Sequence, residues 1–527
     1  MYRLMWWRCS HLNLTKSMQE WPDFEMPSIY CCTLSKLGCI LFRNGVTLPM
    51  AISKAKPSLS NAHHSEPLLP ELYPQTAKES TNRYIRRNWL LWATTFPFLN
   101  GLVVWLVMSS FRDTGIGEGC NRSWGAARAL KKLDKPMIIL ISSDGFRWGY
   151  NHKAPTPNID RLRLNGTEAE TGMIPVYPSL TFPNHYSIVT GLYPAWHGVI
   201  GNHFSDPDPN STDRFNMHNH NPKWWLGEPI WETVVKSGMS AAVYFWPGSE
   251  VVKGSWTCPR LFCPKYNGSV PFEERVDTVL SYVDLPSELR PSLIALYFQE
   301  PDEEGHIYGP DAPQITDQVV RVDQMIGRLM DGLGERGILD DVTIIMVGDH
   351  GMVGYCQDKM IYLEDLHPWI DIPDEWIDTY YPVLSIRPPP EVDVQSVLKN
   401  ITDGLASGKV ENADFVKMYL KEDLPARLHF SASDRIQPII GMVAEGYKLV
   451  AKRTNESMCG GAHGYDNAYL SMRTIFFGHG PQFERGRKVP SFEIVQLYNV
   501  MTSILGISGA PNNGTPSFVE SVLLPKP

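Results

Sequence analysis

The chain has 527 residues, 43% apolar and 20% charged, ordinary values for a globular protein with a large core, and a length that allows two to four domains. A formal net charge of −9 argues against a nucleic-acid-binding surface, which needs a basic stripe, so no specific nucleic acid binding is expected. It does not exclude an anionic substrate, because a bound metal ion reverses the local sign.

Residues 1–87 show no periodicity of a folded unit, and the Pro-, Ser- and Ala-rich run from Ser53 to Ser80 reads as disordered. Cys9, Cys31, Cys32 and Cys39 lack zinc-finger spacing. From Trp89 to Phe111 no side chain is charged; as a helix this stretch spans roughly 34 Å, enough to cross a bilayer. Arg83, Arg86 and Arg87 precede it, whereas Arg112 is offset by Asp113. The positive-inside rule therefore predicts a single-pass type II anchor over 88–111, with 1–87 cytosolic and the rest lumenal or extracellular. An internal signal sequence that is later cleaved is the alternative. Residues 112–134 read as a stalk.

Beyond the anchor lie seven N-x-S/T sequons, at Asn121, Asn165, Asn210, Asn267, Asn400, Asn455 and Asn513, against one before it at Asn13, so N-glycans are expected. Five cysteines follow the anchor: Cys120, Cys258, Cys263, Cys356 and Cys459. In an oxidising compartment an odd number implies two disulfides and one thiol left over. Cys258 with Cys263 would close a small loop, and Cys356 with Cys459 would staple two loops that carry histidines.

From residue 135 to 527 the pattern is α/β. Strand-length apolar runs occur at Met137–Ser142, Ser292–Phe298 and Val342–Val347, and a helical face at Ile315, Val319, Val322, Ile326, Leu329 and Met330. Each run leads into acids or imidazoles: Asp144, then Asp302 and His306, then Asp349 and His350. Sites in parallel sheets form at the carboxyl ends of strands, which is where these residues fall. With His463 they make three Asp and three His, donors suited to two zinc ions. Two divalent ions about 4 Å apart are a device for attacking phosphate esters. Asp302 and His306, four apart, share a helical face. Asp349 and His350 are adjacent, and Gly348 and Gly351 are expected to permit the turn that brings both onto one ion. Taken alone, Thr181 reads as a strand residue before a turn at Pro183.

The segments SSDGFRWGY, PSLTFPNHYSIVTGLYPAWHGVIGN, GEPIWETV, YFWPGSEV, LYFQEPDEEGHIYGP, VGDHGM and GAHGYDN occur in an order that closely resembles the nucleotide pyrophosphatase/phosphodiesterase family, a branch of the alkaline-phosphatase superfamily. The resemblance runs from about Pro136 to about Pro525. It implies a mostly parallel central sheet with helices on both faces and a smaller inserted subdomain. It assigns Asp302, His306 and His463 to one zinc, and Asp144, Asp349 and His350 to the other. Thr181 matches the nucleophile and second-zinc ligand, and Asn202 the donor to a non-bridging phosphate oxygen. Phe182, Trp246, Tyr266 and Tyr297 match an aromatic slot for a nucleobase. The implied reaction releases a nucleoside 5′-monophosphate from nucleotides, nucleotide sugars or dinucleotides through a covalent threonyl intermediate. A phospholipase-type relative acting on choline phosphodiesters or lysophospholipids is the alternative. A sulfatase would need a C/S-x-P-x-R motif, which is absent.

Overall fold

A computed structural model describes residues 130, 132–208, 210–453 and 459–525. The expected anchor over 88–111, the segment 1–87, Cys120 and the sequons at Asn13, Asn121 and Asn455 lie outside the described residues. Among the described residues no helix is long and apolar enough to cross a membrane.

Seven strands form the central sheet: β1 (Ile138–Ser143), β2 (Thr167–Ala169), β3 (Ala241–Tyr244), β4 (Leu293–Phe298), β5 (Thr343–Val347), β6 (Phe476–His479) and β7 (Arg487–Val489). Their order is β7-β2-β6-β5-β1-β4-β3, and only β6 runs antiparallel to its neighbours. The three predicted strands are its centre. Successive side chains leave opposite faces of a strand, and here each face has its own core. Ile138, Leu140, Leu293, Ala295, Ile345 and Val347 pack on one side. Ile139, Ile141, Ile294, Leu296, Ile344 and Met346 pack on the other. Both faces are apolar because both are covered by helices.

The first face packs against α2 (Thr181–Thr190), α3 (Ile230–Lys236) and α8 (Leu497–Leu505). The second packs against α1 (Pro157–Leu164), α4 (Phe272–Val283) and α6 (Pro313–Glu335). The six residues of the predicted helical face all lie on α6 and are all buried. The short α5 (Asp302–Tyr308) sits at the sheet's carboxyl edge.

Between β5 and β6 the chain makes the inserted subdomain. Strands 377–379, 383–386, 439–443 and 416–420 form an antiparallel sheet in that order. Leu384, Ile386 and Ile439 bury against Val397 and Ile401 of α7 (Val394–Leu405). The neck of the insertion is a two-stranded pair in which Val353, Gly354 and Tyr355 oppose Ala462, Gly461 and Gly460. The Cys356–Cys459 disulfide lies one residue further out, and Cys258–Cys263 also forms.

Two glycine expectations resolve differently from the turn argument. Gly348 and Gly351 are not among the positive-φ glycines. They are required because a Cβ would stand 2.1 Å from Thr474 Oγ1 and 2.0 Å from the Ser471 carbonyl oxygen, respectively. At the neck, a Cβ on Gly461 would stand 2.2 Å from the Gly305 carbonyl oxygen of α5. Backbone cannot yield cheaply, so Gly461→Ala should destabilise by about 1–3 kcal/mol. Gly334→Ala, whose Cβ meets nothing within 4 Å on α6, should be neutral or stabilising. Thermal unfolding of both variants beside wild type checks the pair; a neutral Gly461→Ala would contradict the close approach.

Candidate active site

The sheet register brings the ligand-bearing segments to one edge. Ser142 lies opposite both Tyr297 and Val347, so β1, β4 and β5 end together. Asp144 follows β1 with its N–H donated to the Phe298 carbonyl at 2.9 Å. Asp302 opens α5, and Asp349 and His350 follow β5. His463 arrives from the far side of the insertion neck and stacks on His350, ring centroids 3.5 Å apart and planes 10° apart.

Asp144, Asp349 and His350 each offer an atom within 4.8 Å of the others, and so do Asp302, His350 and His463. His306 joins the second set, its Nε2 lying 3.3 Å from Asp302 Oδ2 and 3.1 Å from His463 Nε2. His350 belongs to both sets, and His306 stands beside the second. Thr181 Oγ1 lies 3.2 Å from His350 Nε2. All six ligands and Thr181 are thus brought together.

The tautomers decide what these contacts mean. The Nδ1 atoms of His306, His350 and His463 face the carbonyls of Gly461, Gly351 and Ser179 at 3.0, 2.9 and 2.9 Å. A carbonyl only accepts, so each Nδ1 carries a proton, and in the neutral form each ring presents a lone pair at Nε2. Lone pairs then face lone pairs: His350 Nε2 stands 3.0 Å from Asp349 Oδ2 and 3.4 Å from Asp144 Oδ1. Asp144 Oδ1, Asp302 Oδ1 and Asp349 Oδ2 are buried and have no hydrogen-bond partner among the described residues. Orphaned acceptors converging in this way are satisfied by cations. The donor set therefore fits two divalent metal ions.

Ionisation reports the same frustration. Burial, followed by the Asp349 and Asp302 carboxylates, pushes the Asp144 carboxyl well above its usual value. Burial opposes the charge of Asp302, yet His306, His463 and His350 outweigh it and hold its carboxyl at about 2. Burial likewise opposes His306, but Asp302 raises it to about 9. Burial, then the neighbouring His350, lowers His463 to about 3. Protons stand in at one set, and metal binding would displace them.

Second-layer contacts hold the ligands. Tyr297 donates its hydroxyl to Asp144 Oδ2 at 2.6 Å. Gly145 N–H donates to Asp349 Oδ1 at 3.0 Å, and His185 Nδ1 lies 3.3 Å from Asp349 Oδ2. Thr181 is the first residue of α2, not a strand residue, so it sits at the positive end of a ten-residue helix dipole. Asn202 Oδ1 accepts the Phe182 N–H at 3.0 Å, and the residue lines a cavity with His306 and His463.

The aromatic slot is only partly as expected. Phe182 is partly buried beside Thr181, and Tyr266 is 44% exposed. Trp246 is 1% exposed. Its indole donates to the His185 carbonyl at 3.1 Å and its ring meets the His185 imidazole edge-on. Lying just past β3, it buttresses the His185 that abuts Asp349 and presents no face to a base. Tyr297, 8% exposed, is an Asp144-positioning residue first.

Residues 138–466 match the model of the family described as type I phosphodiesterase/nucleotide pyrophosphatase. Venom phosphodiesterase 2 of Crotalus adamanteus is 38% identical over 411 residues, covering 76% of this chain and 49% of that protein. Ectonucleotide pyrophosphatase/phosphodiesterase family member 1 of Homo sapiens is 40% identical over 403 residues, covering 74% of this chain and 42% of that protein. The chain spans about half the length of the curated relatives it matches. The structure of murine ectonucleotide pyrophosphatase/phosphodiesterase 5, in an inactive threonine-to-alanine form in complex with AMP, is similar at a TM-score of 0.66 and 30% identity, covering 74% of this chain and 100% of that one.

A metal-filled cluster should be more stable than an empty one. Zinc added to chelator-stripped protein should stabilise it by about 2.7 kcal/mol at a hundredfold excess over Kd, read as a rise in unfolding temperature. Tyr297→Phe should weaken metal affinity by about 10–100-fold, measured by chelator competition. Unchanged affinity would mean that the hydroxyl does not position Asp144.

Proposed function

This chain belongs to the type I phosphodiesterase/nucleotide pyrophosphatase family, and from that premise we propose that it is a two-zinc hydrolase that splits nucleotide phosphodiester and pyrophosphate bonds to release a nucleoside 5′-monophosphate. The observation that carries this reading is the convergence of six buried or half-buried ligands on Thr181, whose hydroxyl lies 3.2 Å from His350 Nε2. Asp302, His306 and His463 would hold one zinc, and Asp144, Asp349, His350 and Thr181 the other. When bound, the two ions supply Lewis-acid charge that lowers hydroxyl pKa values and offsets charge on the phosphoryl group.

The chain's own residues do the rest. Thr181 Oγ, its proton released to solvent, attacks phosphorus in line, forming a Thr–O–P bond as the bond to the leaving oxygen breaks with its electron pair. The leaving oxygen takes up a proton from solvent as its basicity requires. Water then attacks the same phosphorus from the vacated side and returns the hydroxyl to Thr181. Asn202 Nδ2 donates to a non-bridging oxygen, its carbonyl side anchored by the Phe182 N–H. Diesters suit the site better than monoesters, because a third free phosphate oxygen needs a further cation. Arg147, the arginine of the first motif, instead donates to the Met352 carbonyl at 3.1 Å. Phe182 and Tyr266 offer the ring surface for a base, whose stacking is worth about 1–3 kcal/mol.

The domain over 135–527 would work in the secretory lumen or outside the cell, tethered by a type II helix over 88–111. The two disulfides fit an oxidising compartment. Asn165, Asn210, Asn267 and Asn400 are exposed and available for glycans.

Thr181→Ala should abolish turnover of AMP esters while zinc content stays at two per chain. Asn202→Ala should lower kcat by about 10²–10³ with the same zinc content. Steady-state kinetics with metal analysis reads both; retained activity in Thr181→Ala would require a different nucleophile. A choline lysophospholipid turned over faster than ATP and nucleotide sugars would instead favour the phospholipase reading.

A further inference from the structure

Beside Asn202, His306 and His463 opens a cavity of about 230 Å³ that continues under the inserted subdomain. We propose that this cavity is the leaving-group subsite and that it prefers phosphodiesters whose leaving group carries no charge apart from the departing oxygen, so that pyrophosphate bonds are cleaved as the weaker substrates of the same site. The inference rests on the hydrolase reading above and specifies its substrate class.

Position supports the assignment. In an in-line displacement the nucleophile and the leaving oxygen lie on opposite sides of phosphorus. Thr181 Oγ1 approaches from His350, at 3.2 Å. His306 and His463, which converge on Asp302, line the cavity. The group that departs toward that set has this cavity to enter.

The lining decides what enters. Leu180, Phe204, Val383 and Ile440 supply apolar walls, and Ser385 and Gln437 supply neutral polar groups. Neither lysine nor arginine is among the lining residues. His203 is the one lining imidazole outside the metal sets. Burial, then Arg214 and His218, lowers its pKa, so it is neutral at neutral pH. The cations nearby are engaged elsewhere. Arg214 pairs with Asp378 at 3.2 Å, and the Lys448 ammonium lies over the rings of Tyr355 and Tyr381 at 4.6 and 4.7 Å. Behind the wall, the Asp378 carboxylate that holds Arg214 also accepts from Gln437 Nε2 and Ser205 Oγ. Beyond the reach of the metal set, a charge carried on the body of the leaving group would be desolvated without a cationic partner in this lining, which is unfavourable.

Two AMP esters of matched leaving ability test this, one of para-nitrophenol and one of a nitrophenol that bears a carboxylate. Calorimetric titration of the zinc-loaded Thr181→Ala full chain reads binding without turnover. The neutral ester should bind at least about tenfold tighter, equivalent to about 1.4 kcal/mol. His203→Lys in the same background places a cation at the exposed rim and should shrink the difference to about threefold or less; His203→Gln should preserve it. Equal or tighter binding of the carboxylate ester, or a preference unmoved by His203→Lys, overturns the proposal. Wild-type turnover of the neutral ester is measured in parallel: its absence counts against the hydrolase reading itself, so the two failures are told apart.

Discussion

The structure turns on lone pairs that face one another. Three imidazoles have their Nδ1 protons committed to backbone carbonyls, and their Nε2 atoms meet carboxylate oxygens and each other at 3.0 to 3.6 Å. Such an arrangement is repulsive unless positive charge fills the gaps, and burial multiplies the cost. A protein core that tolerates it must be rigid elsewhere. The central sheet supplies that rigidity: β1, β4 and β5 are buried on both faces, and their parallel register delivers Asp144, Asp302 and Asp349 to one edge.

The inserted subdomain contributes in a less obvious way. Its neck begins three residues after His350 and ends one residue before His463. Pairing Val353–Tyr355 with Gly460–Ala462 therefore fixes the separation of two ligands that are far apart in sequence. The disulfide one residue outward closes the same neck. The glycines at 460 and 461 let α5 pack against this ribbon, since a Cβ on either would strike the carbonyl of His306 or Gly305. In return the Gly461 carbonyl accepts the His306 Nδ1–H. One short ribbon thus orients ligands from three segments.

Much of this was legible in the sequence because it is written in residue types. Strand-length apolar runs ending in Asp, the i,i+4 pair of Asp302 and His306, and the buried face of α6 all follow from periodicity. The pairing of cysteines near ligands followed from their positions. Other features have no residue-type signal. Every residue carries a carbonyl, so the acceptors at Ser179, Gly351 and Gly461 were invisible. Trp246 looked like a stacking platform because aromatic rings serve cores and binding sites alike, and only its burial against His185 separates the two. Gly348 and Gly351 were correctly singled out, but the cause is close approach of Thr474 and Ser471, contacts far away in sequence and unreadable from local pattern.

Distance in sequence also explains why the cavity beside His306 and His463 went unforeseen. Its walls come from the loop after Pro178, the segment around Asn202 and three strands of the insertion. No single segment is unusual. The Asp378 network joins them, since Asp378 on the insertion accepts from Ser205 and Arg214 on the hairpin that follows Asn202. Asn202 and the insertion are therefore mechanically linked. Because the insertion lines the cavity beside His306 and His463 while β1, β4 and β5 position the acids, substitutions in the insertion would reshape the cavity without moving the sheet edge.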